Sequence, residues 1–139
     1  MSRFIFKQFL VLLFISFVNN SYGQSKNTIR ENNIQTLTVY ETRSDKDGKE
    51  IIESVITYDT DGNVIEEKEF NNEGRFKKHV KYVYDQNSNK IKEMEYNEKG
   101  EVIESVEYKY DGKLKTERIV YDEKGKIINR KKYEYKRFN

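Results

Sequence analysis

The chain has 139 residues, enough for one small domain, and contains no cysteine, proline or tryptophan. Absence of cysteine excludes disulfides, thiolate metal sites, a cysteine nucleophile and a lipid-modified N-terminal cysteine, so the chain is not expected to be a lipoprotein. The formal net charge is +2, but Arg3 and Lys7 fall in a segment expected to be removed, leaving 24 basic and 24 acidic residues. A neutral mature chain gives no general cationic character for nucleic acid, and no nucleic-acid partner is expected.

Residues 1–23 read as a secretory signal peptide. Arg3 and Lys7 supply a positive start, Phe9 to Val18 form a short apolar core, and Ser21-Tyr22-Gly23 place small residues before a cleavage point at Gln24. A core of ten residues, interrupted by Ser16, is short against the ~20 of a spanning helix, so no membrane span is expected after cleavage and the protein should be exported to the periplasm, cell surface or medium. Residues 24–33 are polar, with Ile29 as the sole large apolar side chain, and read as a flexible lead-in.

From Ile34 to the end the pattern alternates, and residues 34–139 read as one β-hairpin repeat domain. A first strand runs through Leu37 and Val39 to near Glu41. Asp45-Lys46-Asp47-Gly48 is turn chemistry, and a second strand covers 50–58. Thereafter a tyrosine or phenylalanine followed by Asp or Asn and a Gly-centred turn recurs at Tyr58, Phe70, Tyr84, Tyr96, Tyr110 and Tyr121, with Tyr58, Tyr84 and Tyr110 spaced by 26 residues. The repeat is therefore a pair of strands. Short strands are expected at 64–70, 90–96 and 114–121, and long ones at 76–84, 102–110 and 127–135.

Every second side chain of a strand points the same way. This alternation puts Phe76, Val80, Tyr82 and Tyr84 on one face, with Val102, Val106, Tyr108 and Tyr110, and with Ile127, Tyr133 and Tyr135. Lys77, His79 and Lys81 take the other face. Eight strands joined by short turns imply an all-β antiparallel meander. With 35 large apolar residues in the 116 after the leader, a single curled sheet is expected, with an eight-stranded closed barrel as the alternative.

The signature Tyr-Asp-x-x-Gly-x-Val/Ile, present as Tyr58–Val64 and Tyr121–Ile127, resembles the YD repeat of Rhs-type bacterial cell-surface proteins over about 58–135. The resemblance implies hairpins stacked sideways into curved sheets, in exported proteins that bind or enclose other molecules. The chain departs from the pattern at Ser88-Asn89, where Gly is expected, at Phe70-Asn71, and near Gly112, where a residue is missing.

Candidate chemistry is sparse. Asp59-Thr60-Asp61-Gly62-Asn63 suggests a calcium loop, but an EF-hand register puts Thr57 at its first ligand position and Lys68 at its last, where a bidentate Glu is needed. These are turns, and no metal or cofactor is expected. His79, the only histidine, reads as a solvated surface residue. Glu93 and Glu95 share a strand face at roughly 7 Å, a glycoside-hydrolase-like separation that any alternating charged strand also produces, so an enzyme is not expected. Tyrosines recur as a core recurs, and only the terminal rows, Tyr40, Tyr133 and Tyr135, would be open to a partner. Residues 113–139 hold ten basic and four acidic side chains. Arg130, Lys131 and Lys132 there suit an anionic polymer, or serve to discourage aggregation at a sheet edge. The expected function is a non-catalytic structural or binding module meeting a polysaccharide or a surface protein. A barrel binding a small apolar ligand is the alternative.

Overall fold

The computed structural model describes residues 24–42 and 47–138; the expected leader and Asp45-Lys46 of the first turn lie outside them. The described residues form one antiparallel sheet of eight strands in sequence order: β1 (Thr36–Thr42), β2 (Glu50–Tyr58), β3 (Val64–Phe70), β4 (Phe76–Tyr84), β5 (Lys90–Tyr96), β6 (Val102–Asp111), β7 (Leu114–Asp122) and β8 (Ile127–Lys132). The last strand stops three residues before its expected end, although the Tyr133 amide still donates to the Thr116 carbonyl at 3.0 Å.

The turns show why the repeat begins with Asp or Asn. In Asp59–Asn63 the Asp59 carboxylate accepts from the amides of Asp61 (2.9 Å) and Asn63 (2.8 Å), and the Gly62 amide donates to the Asp59 carbonyl. Asn71, Asp85, Asn97 and Asp122 make the same two side-chain bonds in their own turns. The fourth turn position has positive φ, which Gly adopts without a Cβ penalty. Ser88 takes it at 59° where Gly stands elsewhere. The residue missing near Gly112 is absorbed in the turn, where Asp111 pairs directly with Leu114 and Tyr110 still meets Lys115, as Tyr84 meets Lys90.

Each of the seven ladders also carries one bulge, always in its second strand: the pairing skips Glu53, Ile65, Lys77, Ile91, Ile103, Thr116 and Ile128. A bulge adds local twist and reverses the phase of side-chain alternation. Directly opposed residues share a face, so the bulges carry Val64, Lys90 and Lys115 onto the tyrosine face, opposite Tyr58, Tyr84 and Tyr110. They carry Phe76, Val102 and Ile127 off it, opposite Phe70, Tyr96 and Tyr121. The placement of those three residues by simple alternation is thus corrected.

One further expectation changes, while the expected single antiparallel sheet stands against the barrel alternative. Residues 24–33 are not a flexible lead-in: Lys26–Glu31 form a helix, α1, whose N-cap Ser25 accepts from the Thr28 amide. Ile29 is its one buried side chain, 4% exposed, packed against Ile56 and Tyr58 with Leu37 and Val64 alongside. Among the described residues the sheet does not close into a barrel, since β1 pairs with β2 alone and β8 with β7 alone. An eight-stranded lumen is just wide enough for side chains. This face would have to fill it with Glu67, Glu93, Glu95 and Glu104, whose desolvation opposes closure. A second buried cluster, Val106, Tyr108 and Val120 with Tyr110 against it, lies on the same face farther along.

Candidate functional site

The tyrosine face is organised by the repeat in two layers. At the ends of the long strands, the hydroxyls of Tyr84, Tyr110 and Tyr135 donate to the carbonyls of Val64 (3.0 Å), Lys90 (2.9 Å) and Lys115 (2.6 Å). Two residues earlier, Tyr82 donates to Glu67 at 3.3 Å and Tyr108 to Glu93 at 2.8 Å. The bulge-shifted lysines lie on the rings: Lys90 is 4.9 Å from the centroid of Tyr82 and 5.9 Å from that of Tyr108, and Lys115 is 4.1 Å from Tyr108. Lys90 also pairs with Glu93. Alternation read through the turns misses these lysines, and their pairing equivalence to Val64, each opposite the tyrosine before its turn, is the signal that finds them; Lys90 opens β5 and Lys115 follows Leu114 in β7.

Burial, then the Glu67 and Glu93 carboxylates, push the Tyr82 hydroxyl well above its ordinary range, and burial with Glu93 does the same to Tyr108. Burial, then the Asp59 and Glu93 carboxylates, raise Tyr84 to about 12. These tyrosines are fixed neutral donors within a saturated network, with no proton to exchange near neutrality.

Glu93 and Glu95 border a shallow recess of about 40 Å³, beside Glu104 and Arg118. Glu95 stands directly opposite Glu104. Burial first, and Glu95 second, raise the Glu104 pKa. Glu93 already holds Tyr108 and Lys90. Among the described residues no group of three or more His, Asp or Glu side chains is placed to hold a metal ion.

His79 is not the solvated surface residue expected. Its side chain is 14% exposed, its Nε2 lies 2.7 Å from Glu66 Oε1, and its ring stacks on Tyr96 at 4.9 Å. Pairing across two ladders brings this about, since His79 stands opposite both Lys68 and Tyr96. Burial raises the Glu66 pKa, but the His79 hydrogen bond and the charges of Lys68 and Lys81 outweigh it, for a net lowering.

Of the six partner-binding candidates, Arg130, Lys131, Lys132, Tyr133 and Tyr135 come together on and just beyond β8, where all six strand residues are exposed. Arg130 faces Ile119 and reaches Glu117 at 3.4 Å, Lys131 faces Arg118, and Lys132 faces Glu117. Tyr135 is anchored through Lys115 yet half exposed. Tyr40 is 58% exposed on β1, at the opposite edge, on the order of 30 Å away across seven strand spacings of a flat sheet. Among the described residues no helix is long and apolar enough to cross a membrane.

No family model matches the chain, and no curated protein matches it significantly.

Proposed function

We propose that the protein is an exported, non-catalytic repeat module that holds a rigid sheet and offers its C-terminal strand to a partner at the cell surface or in the periplasm. The observation that carries this reading is a contrast along the sheet. Tyr82, Tyr84, Tyr108 and Tyr110 spend their hydroxyls on neighbours one strand back, whereas β8 presents exposed Arg130, Lys131 and Lys132 beside a backbone edge that no further strand pairs with among the described residues. An unpaired edge accepts an added strand from another polypeptide through main-chain hydrogen bonds. The likeness of Tyr58–Val64 and Tyr121–Ile127 to YD repeats agrees with a cell-surface module built of stacked hairpins.

A polysaccharide is the second reading, favoured by the exposed rings of Tyr133 and Tyr135 next to the basic side chains. Crosslinked capture from the exporting cell, run beside a glycan array, tests both. The wild-type chain should retain a partner that a variant with Arg130, Lys131 and Lys132 all changed to Glu releases. Identical capture by the two chains would refute β8 as the binding strand.

A further inference from the structure

We propose that copies of this chain join head to tail, the free edge of β8 in one copy pairing with the free edge of β1 in the next. This rests on reading β8 as the partner-binding strand and names the partner as a second copy. Strand parity comes first. Eight strands in an antiparallel meander leave β1 and β8 running oppositely, so a second copy set down in the same orientation offers β1 antiparallel to β8, the sense of all seven existing ladders.

Strand length and register agree. β1 has 7 residues, like β3 and β5, and β2 has 9, like β4, so β1 is a short strand of the same alternation. Tyr40 pairs with Ile52 across a bulge just as Phe70 pairs with Phe76 and Tyr96 with Val102. It therefore takes the register position of those two aromatics, with β1 running on through Glu41 and Thr42. In the β4–β5 ladder Tyr82 faces Glu93, Val80 faces Glu95 and His79 faces Tyr96. The same step from β8 to a neighbouring β1 sets Tyr133 against Leu37, Lys131 against Val39 and Arg130 against Tyr40. The stacked His79–Tyr96 pair becomes a guanidinium on the ring of Tyr40, a ring left 58% exposed in the isolated chain.

Charge selects this pairing over the symmetric one. Residues 113–139 carry ten basic and four acidic side chains, and residues 24–112 carry the matching acidic excess. Two β8 edges would bring Arg130, Lys131 and Lys132 against their own kind, whereas β1 carries a single charge, Glu41, and this register sets the three cations opposite uncharged Tyr40, Val39 and Thr38. Because the two edges differ, each junction leaves one of each kind free, and assembly is open-ended.

Sedimentation velocity of the full chain, expressed with its own leader, tests this. The expected result is a sedimentation coefficient that rises with concentration without stopping at a dimer. Tyr40→Asp and the double change Arg130→Ser with Lys131→Ser should each weaken assembly about tenfold or more while circular dichroism stays unchanged. Mixed in equal amounts, the two variants should form a dimer that grows no further, since each supplies the edge the other has lost. A monomer at every concentration overturns the proposal, as does undiminished assembly of Tyr40→Asp. If the chain is monomeric yet the β8 charge reversal abolishes capture of another partner, the binding strand stands and self-pairing falls.

Discussion

Gly62→Ala, read against Gly100→Ala, isolates the docking of α1 from the backbone strain of a turn. Both glycines occupy the fourth position of the same five-residue turn, at φ 79° and 80°. A Cβ at Gly100 meets nothing within 4 Å, so its substitution reports strain alone, about 1 kcal/mol for an L-residue in the left-handed region. A Cβ at Gly62 would lie 2.5 Å from the Lys26 carbonyl oxygen of α1. The helix must then shift or leave. The extra cost cannot exceed the free energy of docking, whose main contribution is burial of Ile29 at about 1.5–3 kcal/mol before ordering entropy is subtracted. Gly62→Ala should therefore destabilise by about 2–3 kcal/mol and Gly100→Ala by about 1. Urea unfolding of both variants measures the difference. Undocking should also lower the m value of Gly62→Ala, because its folded state buries less surface. The amides of Asn32, Asn33 and Ile34, bonded to helix carbonyls, should lose exchange protection. Equal losses in the two variants, with those amides still protected, would refute the reasoning.

Ser88→Gly should stabilise by about 0.5–1 kcal/mol, since Ser88 holds φ 59° where the matching turns use Gly; a thermal midpoint that fails to rise contradicts this. Ser54 is fully buried with an unpartnered hydroxyl, so Ser54→Ala should leave stability unchanged or raise it by about 1 kcal/mol in urea titrations, and a clear loss would point to an unrecognised bond. The tyrosines set an alkaline limit. Tyr84 rises from an ordinary 10.0 to about 12, so its stabilising share is complete below pH 10 and disappears as pH climbs toward 12. That is about 2 kcal/mol after discounting its partial exposure, with Tyr82 and Tyr108 acting in the same direction. Tyrosinate absorbance and circular dichroism should change together in that window; ionisation near the ordinary value with the sheet intact would argue against buried tyrosines.

Strand boundaries were legible because five of the turns are written in the same local code. Asp or Asn bonds two amides of its own turn and a Gly, or once Ser88, takes the left-handed position, so the ends of β2 to β5 come straight from residue types. The phase of the side chains was not. A bulge leaves no residue-type mark among Ile65, Lys77, Ile91 and Ile103, and without it alternation misassigns the first residue of each strand after a turn. Helix α1 escaped for another reason: six residues with one apolar side chain have no period, and the partner that makes Ile29 a core residue lies near Ile56 and Tyr58. His79 was misjudged because its surroundings come from β3 and β5, 13 and 17 residues away in sequence. The clustering on β8 was readable; its separation from Tyr40 depended on whether the sheet closes.

Strand order has a mechanical consequence. The first and last strands sit at opposite margins, and each strand is bonded only to those adjacent in sequence. Tension between the two ends is directed along the inter-strand hydrogen bonds, so the ladders open one after another like a zipper instead of shearing together. At ~3.3 Å per residue, the unravelled chain would extend to several hundred ångströms. A constant-speed pulling trace should show serial low-force steps, each near one strand in length, in place of a single high peak. Held by its ends, such a molecule is a compliant, self-rewinding spring.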